Sequence, residues 1–597
     1  MQIRDYRNIH EMFRETVDRQ PEKIAAKWFT GPGKTESVTW AQFYSQVKRA
    51  AKSLMALEVA KGDKVNIISY TSYRWVLADL AITAVGACTV GIYQSNLPKD
   101  CQYIIDHSDA VLIFAEDAVQ LEKLMEIRAD IPRVRKVILM NGPAPEDDWI
   151  IGFDTFMGLG EHVPDEAFQA RAAAVGPEDP AGIIYTSGTT GVPKGAVLTH
   201  DNMTFTAQSV FGSTEFEDEY EKFLFLPLAH VFARTCFYTA LFAGNTTIFN
   251  RSMDTLIEDL AAARPHWFAS VPRIFEKVYS KIISGAEAKG GAALKIFRWA
   301  CAVGDRASDC RLDRRPVPPL LGLQYRLADK LVFSKVRAAF GGRVRWCISG
   351  AAPLNPDIGK FFHAAGVVII EGVGMTEDTS FSHLNRPDNC RYGWVGVPGP
   401  GIEQKLAEDG EVMIRGRNVM KEYYKMPQET AENITPDGWL LTGDIGEIDP
   451  EHFLKITGRK KEIIITAGGK NVAPAHIEGV LATSKYVNQV CVIGDRRKYL
   501  TALVTLDAEN IEDYARQKGI SFANADELAT HPKIVELIDA QVAEKNRNFP
   551  SFETIKKVSI VPEFSIENGL LTPTMKLKKG IAMEQFRDRI DGMYPEA

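Results

Sequence analysis

No two cysteines in this 597-residue chain stand in a C-x-x-C spacing. The eight that exist, Cys88, Cys101, Cys236, Cys301, Cys310, Cys347, Cys390 and Cys491, are scattered, which fits neither a zinc site nor a disulfide framework. They read as core thiols of a reducing compartment. No apolar run is long and unbroken. The most apolar window, Trp75–Tyr93, is interrupted by Asp79, Gly86 and Gly91, so it predicts a buried helix leading into a strand rather than a membrane span. The first twenty residues contain no apolar stretch, and no signal peptide is expected. Neither sign of charge dominates: 70 Lys and Arg against 77 Asp and Glu, net −7. That balance excludes a dedicated nucleic-acid binder but not a local basic patch. Tandem repeats and low-complexity tracts are missing. So is a Walker A loop: at the one "GKT", Gly33–Thr35, the first glycine position is Trp28.

The length exceeds one compact core and implies at least two domains. Helical and strand patterns alternate, as in "TWAQFYSQVKRAAKSLMALEV", "KGDKVNIISY" and "CTVGIY". This predicts an α/β fold with mostly parallel sheets in a large, multi-lobed N-terminal domain. After about residue 401 the pattern changes to short antiparallel strands, and "GRKKEIIITAGGKNVAP" opens a last segment. The expected division is 1–457, the N-terminal domain, and 458–597, a small separate α+β domain. The basic stretch after Gly285, to about Phe340, reads as an irregular surface insertion with a solvated charged face.

"AGIIYTSGTTGVPKGAVLTH" is a strand running into a loop of hydroxyls, glycines and one lysine. Gly188 and Gly191 let backbone N–H groups turn toward an anion. Thr186, Ser187, Thr189 and Thr190 can donate to it, and Lys194 adds a positive charge. The pattern points to a phosphate chain, although the Walker spacing fails.

At this point the sequence resembles the AMP-forming acyl-adenylate enzymes, the superfamily of acyl-CoA synthetases, luciferases and peptide-synthetase adenylation domains. Besides "YTSGTTGVPKGAVLTH", the resemblance rests on "GAAPL" (Gly350–Leu354), "EGVGMTE" (Glu371–Glu377), "DGWLLTGDIGEID" (Asp437–Asp449), "GRKKEIIITAGGKNVAP" (Gly458–Pro474) and "LTPTMKLKK" (Leu571–Lys579). Six motifs in order span nearly the whole chain. The implied reaction attacks the α-phosphate of ATP with a carboxylate, releases pyrophosphate, and passes the acyl group from AMP to a thiol.

The resemblance implies a role for each motif. Glu377 would hold Mg²⁺ against the phosphates, as Mg²⁺ takes few carboxylates, and Thr376 would contact the α-phosphate. Asp444 and Arg459 would grip the ribose. Gly350, Ala351 and Ala352 would let adenine lie against the backbone, with Glu371, Gly372 and Val373 completing the nucleotide site. Val373 departs from the family, which usually places an aromatic ring there; the lost stacking is worth roughly 1 kcal/mol. His230 would line the way in for carboxylate and thiol. Lys576 would bridge carboxylate and α-phosphate, and Met575 replaces the usual glycine before it. Lys461 would sit at a hinge, and Gly468 and Gly469 would line a coenzyme A tunnel after the C-terminal domain rotates. Lys578 and Lys579 read as a basic tail.

Among family members the chain is most similar to bacterial long-chain fatty acyl-CoA synthetases. That similarity implies a fatty acid, ATP and coenzyme A as substrates, no nucleic-acid partner, and a cytoplasmic location compatible with peripheral contact at the inner face of the membrane. Two other readings remain open at this level: an acyl-AMP ligase serving a carrier-protein thiol, and a non-catalytic acyl or nucleotide binder.

Overall fold

The computed structural model describes residues 3–186, 192–547, 549–572 and 576–594, with the side chains of 525 and 526 left aside. Two large sheets dominate. Among the described residues one has eight strands, ordered Glu422–Tyr423, Lys194–Thr199, Pro180–Thr186, Cys88–Ile92, Lys64–Ile68, Ala110–Ala115, Lys136–Leu139 and Ile150–Gly152. Its last six strands run parallel. The other has nine strands. Its central members, Thr246–Phe249, Glu221–Leu224, Trp267–Ser270, Trp346–Ser349 and Val368–Val373, are also parallel. An antiparallel meander of four strands follows, Ile402–Leu406, Glu411–Gly416, Leu440–Ile448 and Leu454–Arg459. The α/β expectation therefore holds.

The apolar window becomes the helix Tyr73–Ala84, capped by Ser72, and the strand Cys88–Ile92. Among the described residues no helix is long and apolar enough to cross a membrane. Nearly every residue of Tyr73–Ala84 and of the helix Val231–Ala243 is buried, as expected of helices apolar on all sides. Each carries one buried charge. Arg234 donates to Asp79 at 2.8 Å, and Tyr238 donates to the other Asp79 oxygen at 2.6 Å. A Cβ on Gly182 would lie 2.6 Å from the Arg234 guanidinium. This buried pair thus presses on the strand Pro180–Thr186.

The segment after Gly285 corrects the sequence reading. It is not irregular: it forms the helices Gly291–Leu312 and Pro319–Ala328, a π-helical turn Asp329–Phe333, and Ser334–Ala338. Its inward face is only a sparse stripe, Ala300, Val303, Ala307, Ala328, Phe333 and Val336, which the many solvated cations hide from a periodicity count. Gly304 is required there, since a Cβ would come within 2.5 Å of the Phe333 ring.

Beyond Arg459, three apolar clusters are built only from residues 464–594. They pack helices on a three-stranded sheet, Val487–Ile493, Leu500–Leu506 and Ile555–Ile560. None of the eight cysteines is paired, and six are buried, as the spacing implied.

Removing one partner of the interior pair leaves a buried charge uncompensated. Asp79→Ala should cost about 3–5 kcal/mol in urea unfolding. The double variant Asp79→Leu/Arg234→Met should recover much of that loss. Equal instability of the single and double variants would refute the charge explanation.

Candidate active site

The parallel neighbours Trp346–Ser349 and Val368–Val373 end side by side in one large sheet, and Pro180–Thr186 of the other runs into the loop before Lys194; the carboxyl ends of parallel strands are where such folds bind ligands. Thr186 pairs with Lys194 across the base of the candidate phosphate-binding loop, and its hydroxyl donates to the Lys194 carbonyl at 3.4 Å. Ser187, Gly188, Thr189 and Thr190 lie outside the described residues. The base is tied from its other side: Tyr103 donates to the Pro193 carbonyl at 2.9 Å, and Tyr185 shares a 2.8 Å hydrogen bond with His107.

Tyr423 joins this base to the acidic motif. The short strand Glu422–Tyr423 pairs with Val197 and Ala196. The Lys194 ammonium sits 5.2 Å above the Tyr423 ring, and the phenol donates to Glu377 Oε1 at 2.5 Å. Burial and the Glu377 carboxylate push the phenol pKa up. Thr376, Glu377 and Asp378 form one buried 3₁₀ turn. Asp378 accepts from the Met375 N–H at 2.7 Å. Burial, with Glu377 and Asp444 nearby, pushes its pKa up to about 8.

Asp444 and Arg459 face each other in adjacent antiparallel strands, and their side chains pair at 2.8 Å. Burial raises the Asp444 pKa, while Arg459 and Lys576 oppose that shift. Val373, Asp378, Thr442, Asp444 and Ile456 line one small cavity. Gly350 follows its strand closely, since a Cβ there would meet the Phe232 ring at 3.1 Å. Ala351 has φ +69°, a left-handed conformation, and both it and Ala352 are exposed. Glu371 behaves differently from its neighbours in the motif. Its two oxygens accept the Leu354 N–H at 3.2 Å and the Gly393 N–H at 3.1 Å. It thereby holds the Gly350–Leu354 loop in place, and burial pushes its pKa up to about 7. Gly372 serves strand packing, with a Cβ position 2.9 Å from the His383 carbonyl.

His230 caps the helix Val231–Ala243, its Nδ1 accepting from the Phe232 N–H at 3.1 Å. The neutral ring therefore carries its proton on Nε2. Burial and the Lys576 charge push the imidazole down to about 4. Lys576 arrives from the far end of the chain. Its N–H donates to Thr572 Oγ1 at 3.1 Å. The side chain is solvent-accessible, yet crowding by protein and the Arg459 charge lower its pKa, while Asp444, Glu462 and Glu377 pull the other way. Lys576 thus meets the fields of His230, Arg459, Asp444 and Glu377 together.

Two family models, AMP-binding enzyme and AMP-binding enzyme C-terminal domain, match residues 13–424 and 461–597. The chain belongs to the AMP-binding enzyme family. Its relatives include the long-chain-fatty-acid–CoA ligase FadD15 of Mycobacterium bovis, 38% identical over 93% of this chain and 92% of that protein. The human long-chain-fatty-acid–CoA ligase ACSBG2 is 30% identical over 98% of this chain and 92% of its own length. Among solved structures, the adenylation domain of a carboxylate reductase from Mycobacterium chelonae matches with TM-score 0.77 and 22% identity, covering 99% of this chain and 91% of that one. That likeness concerns the fold.

Some residues of this AMP-binding enzyme do not join the cluster. Gly468 and Gly469 turn an exposed hairpin between Ile464–Ile465 and Asn471–Val472, with φ +70° at Gly469. Among the described contacts, none links that tip to Lys576, Glu377 or Asp444. Lys461 is an exposed turn residue; its neighbour Lys460 pairs with Asp409 at 2.5 Å and Glu411 at 2.9 Å. Lys579 corrects the basic-tail reading: it pairs with Glu478 at 2.9 Å and with Glu462 at 3.8 Å. A cavity of about 610 Å³ lies elsewhere, among Tyr279, Phe297, Cys301 and Phe361. Sequence reasoning missed Tyr423; the only signal was its place in "KEYY", without spacing that points to Glu377.

Asp378 gives a pH test. Its folded pKa lies above that of an unfolded aspartate, so its stabilising contribution is present at low pH and is lost as pH rises toward about 8. Asp378→Asn should therefore raise the melting temperature more at pH 8.5 than at pH 5. A gain independent of pH would contradict a protonated Asp378.

Proposed function

We propose that this chain is a long-chain fatty acid–CoA ligase, which joins a fatty carboxylate to ATP as acyl-AMP with release of pyrophosphate and then transfers the acyl group to the thiol of coenzyme A. The observation that carries the reading is the convergence of Lys576 with Glu377, Asp444, Arg459 and His230. The names of the relatives supply the substrate class. In this scheme the phosphate loop and Lys194 hold the β- and γ-phosphates. The Lys576 ammonium bridges two anions, the attacking carboxylate and the α-phosphate, lowering their repulsion. Asp444 and Arg459 orient the ribose. Neutral His230 offers an Nε2–H donor at the approach of the carboxylate.

Glu377 fits a role as holder of Mg²⁺. One oxygen is fixed by Tyr423, and among the described residues no hydrogen bond occupies the other. Among the described residues no group of three His, Cys, Asp or Glu could make an all-protein metal site, so phosphate oxygens and water would complete the shell, as is usual for this ion. Bound there, Mg²⁺ would offset phosphate charge.

Residues 1–457 and 458–597 act as two bodies, with Lys461 at the hinge. Rotation would withdraw Lys576 after adenylation and bring Gly468 and Gly469 toward the thiol path. The enzyme would act on the cytoplasmic side, with peripheral contact at the membrane's inner face and no nucleic-acid partner. The second reading is transfer of the acyl group to a carrier-protein thiol. Dependence on coenzyme A decides between the two.

Pyrophosphate release should require ATP, Mg²⁺ and a fatty acid, and coenzyme A should turn the burst into steady turnover. Lys576→Gln should lower adenylation by about a hundredfold or more, yet still form acyl-CoA from supplied acyl-AMP. Near-normal pyrophosphate release by this variant would reject the assignment. Tyr423→Phe, which frees Glu377, should lower kcat/KM for ATP by about tenfold and raise the Mg²⁺ requirement, with fold retained. Unchanged Mg²⁺ dependence would remove Tyr423 from the site.

A further inference from the structure

The helix Pro319–Ala328 and the π-helical turn after it expose a row of large apolar side chains that the reaction does not use. Leu320, Leu323, Leu327 and Leu331 are 69%, 65%, 52% and 40% exposed. Steps of three, four and four residues place them on one helix face. The opposite face is anchored. Ala328 and Phe333 are buried, and Tyr325 donates to the Ala364 carbonyl at 2.9 Å. The leucines therefore cannot turn inward without breaking packing that already exists. Solvent-exposed apolar rows of this size mark interaction surfaces.

The charges around the row identify its partner. Residues 311–338 contain seven cations, Arg311, Arg314, Arg315, Arg326, Lys330, Lys335 and Arg337, and two carboxylates. Both carboxylates are already paired, Asp313 with Arg315 at 2.6 Å and Asp329 with Arg337 at 2.5 Å. Arg326, Lys330 and Lys335 are exposed beside the leucines. The chain as a whole has net charge −7, so this is a positive patch on a negative protein. A second copy docked by the same face would set cations against cations. An anionic surface with an apolar interior satisfies both features.

We propose that the Leu320–Leu331 face docks onto an anionic lipid bilayer, the leucines entering the headgroup boundary and Arg326, Lys330 and Lys335 meeting lipid phosphates. The inference deepens the proposed function, in which the substrate is an acid that partitions into bilayers, but it is measured without turnover. The negative remainder of the chain would be repelled by the same surface, so docking would fix one orientation.

The test is co-sedimentation of the full chain with vesicles of phosphatidylglycerol and phosphatidylcholine, against phosphatidylcholine alone. The wild type should bind the anionic vesicles and be released by salt. Leu323→Gln/Leu327→Gln should lower the partition coefficient by about tenfold or more, and Arg326→Gln/Lys330→Gln should abolish the preference for phosphatidylglycerol. Neither pair should change the melting temperature or pyrophosphate release with a water-soluble medium-chain acid. Full binding by the leucine variant, or no binding by the folded wild type, overturns the proposal. A wild-type dimer that the leucine variant dissolves, without vesicle binding, assigns the face to a second copy instead. Vesicle binding without any pyrophosphate release would support the surface while rejecting the ligase.

Discussion

Three carboxyl groups buried in one place, Glu377, Asp378 and Asp444, are the constraint on which the site depends. Ionised carboxylates are costly to bury unless partners accept their charge. The fold answers each differently. Tyr423 donates to Glu377, the Met375 N–H and a raised pKa accommodate Asp378, and Arg459 pairs with Asp444. Lys576 then arrives from the last strand-poor stretch of the chain and acts on Asp444 and Glu377 together. The same charge balance that stabilises this cluster makes room for anionic substrates, because the cations are supplied in advance.

The rigidity beneath the site comes from the buried helices Tyr73–Ala84 and Val231–Ala243. Asp79 and Arg234 lock them together, and Arg234 abuts Gly182 in the strand leading to the candidate phosphate-binding loop. His230 caps the second helix, so its ring is set by the same element that carries Arg234. Glu371 performs a comparable service for the Gly350–Leu354 loop through two backbone N–H groups. In both cases a buried charge positions backbone at the site without reaching the reacting atoms.

The leucine face and the candidate active site illustrate two kinds of surface made by one chain. The site is dense with paired charges. The face is apolar, cationic at its edges, and carried on a helix anchored by buried Ala328 and by the hydrogen bond from Tyr325 to the Ala364 carbonyl.

The sequence by itself determined the alternation that makes two largely parallel sheets, the buried helix at Tyr73–Ala84, and the ordered motifs around Lys194, Glu377, Asp444 and Lys576. These are local signals: strand and helix periods, glycines, and short runs of functional groups are written in consecutive residues. Tertiary structure alone decided that Tyr423 bridges Lys194 and Glu377, that Glu371 serves backbone, that Lys579 belongs to an ion-pair network, and that the stretch after Gly291 is helical. Each depends on residues far apart in sequence meeting in space. A tyrosine in "KEYY" carries no mark of a carboxylate 46 positions away, and a sparse inward stripe is drowned by solvated arginines until the helix Pro356–Ala364 gives it something to pack against.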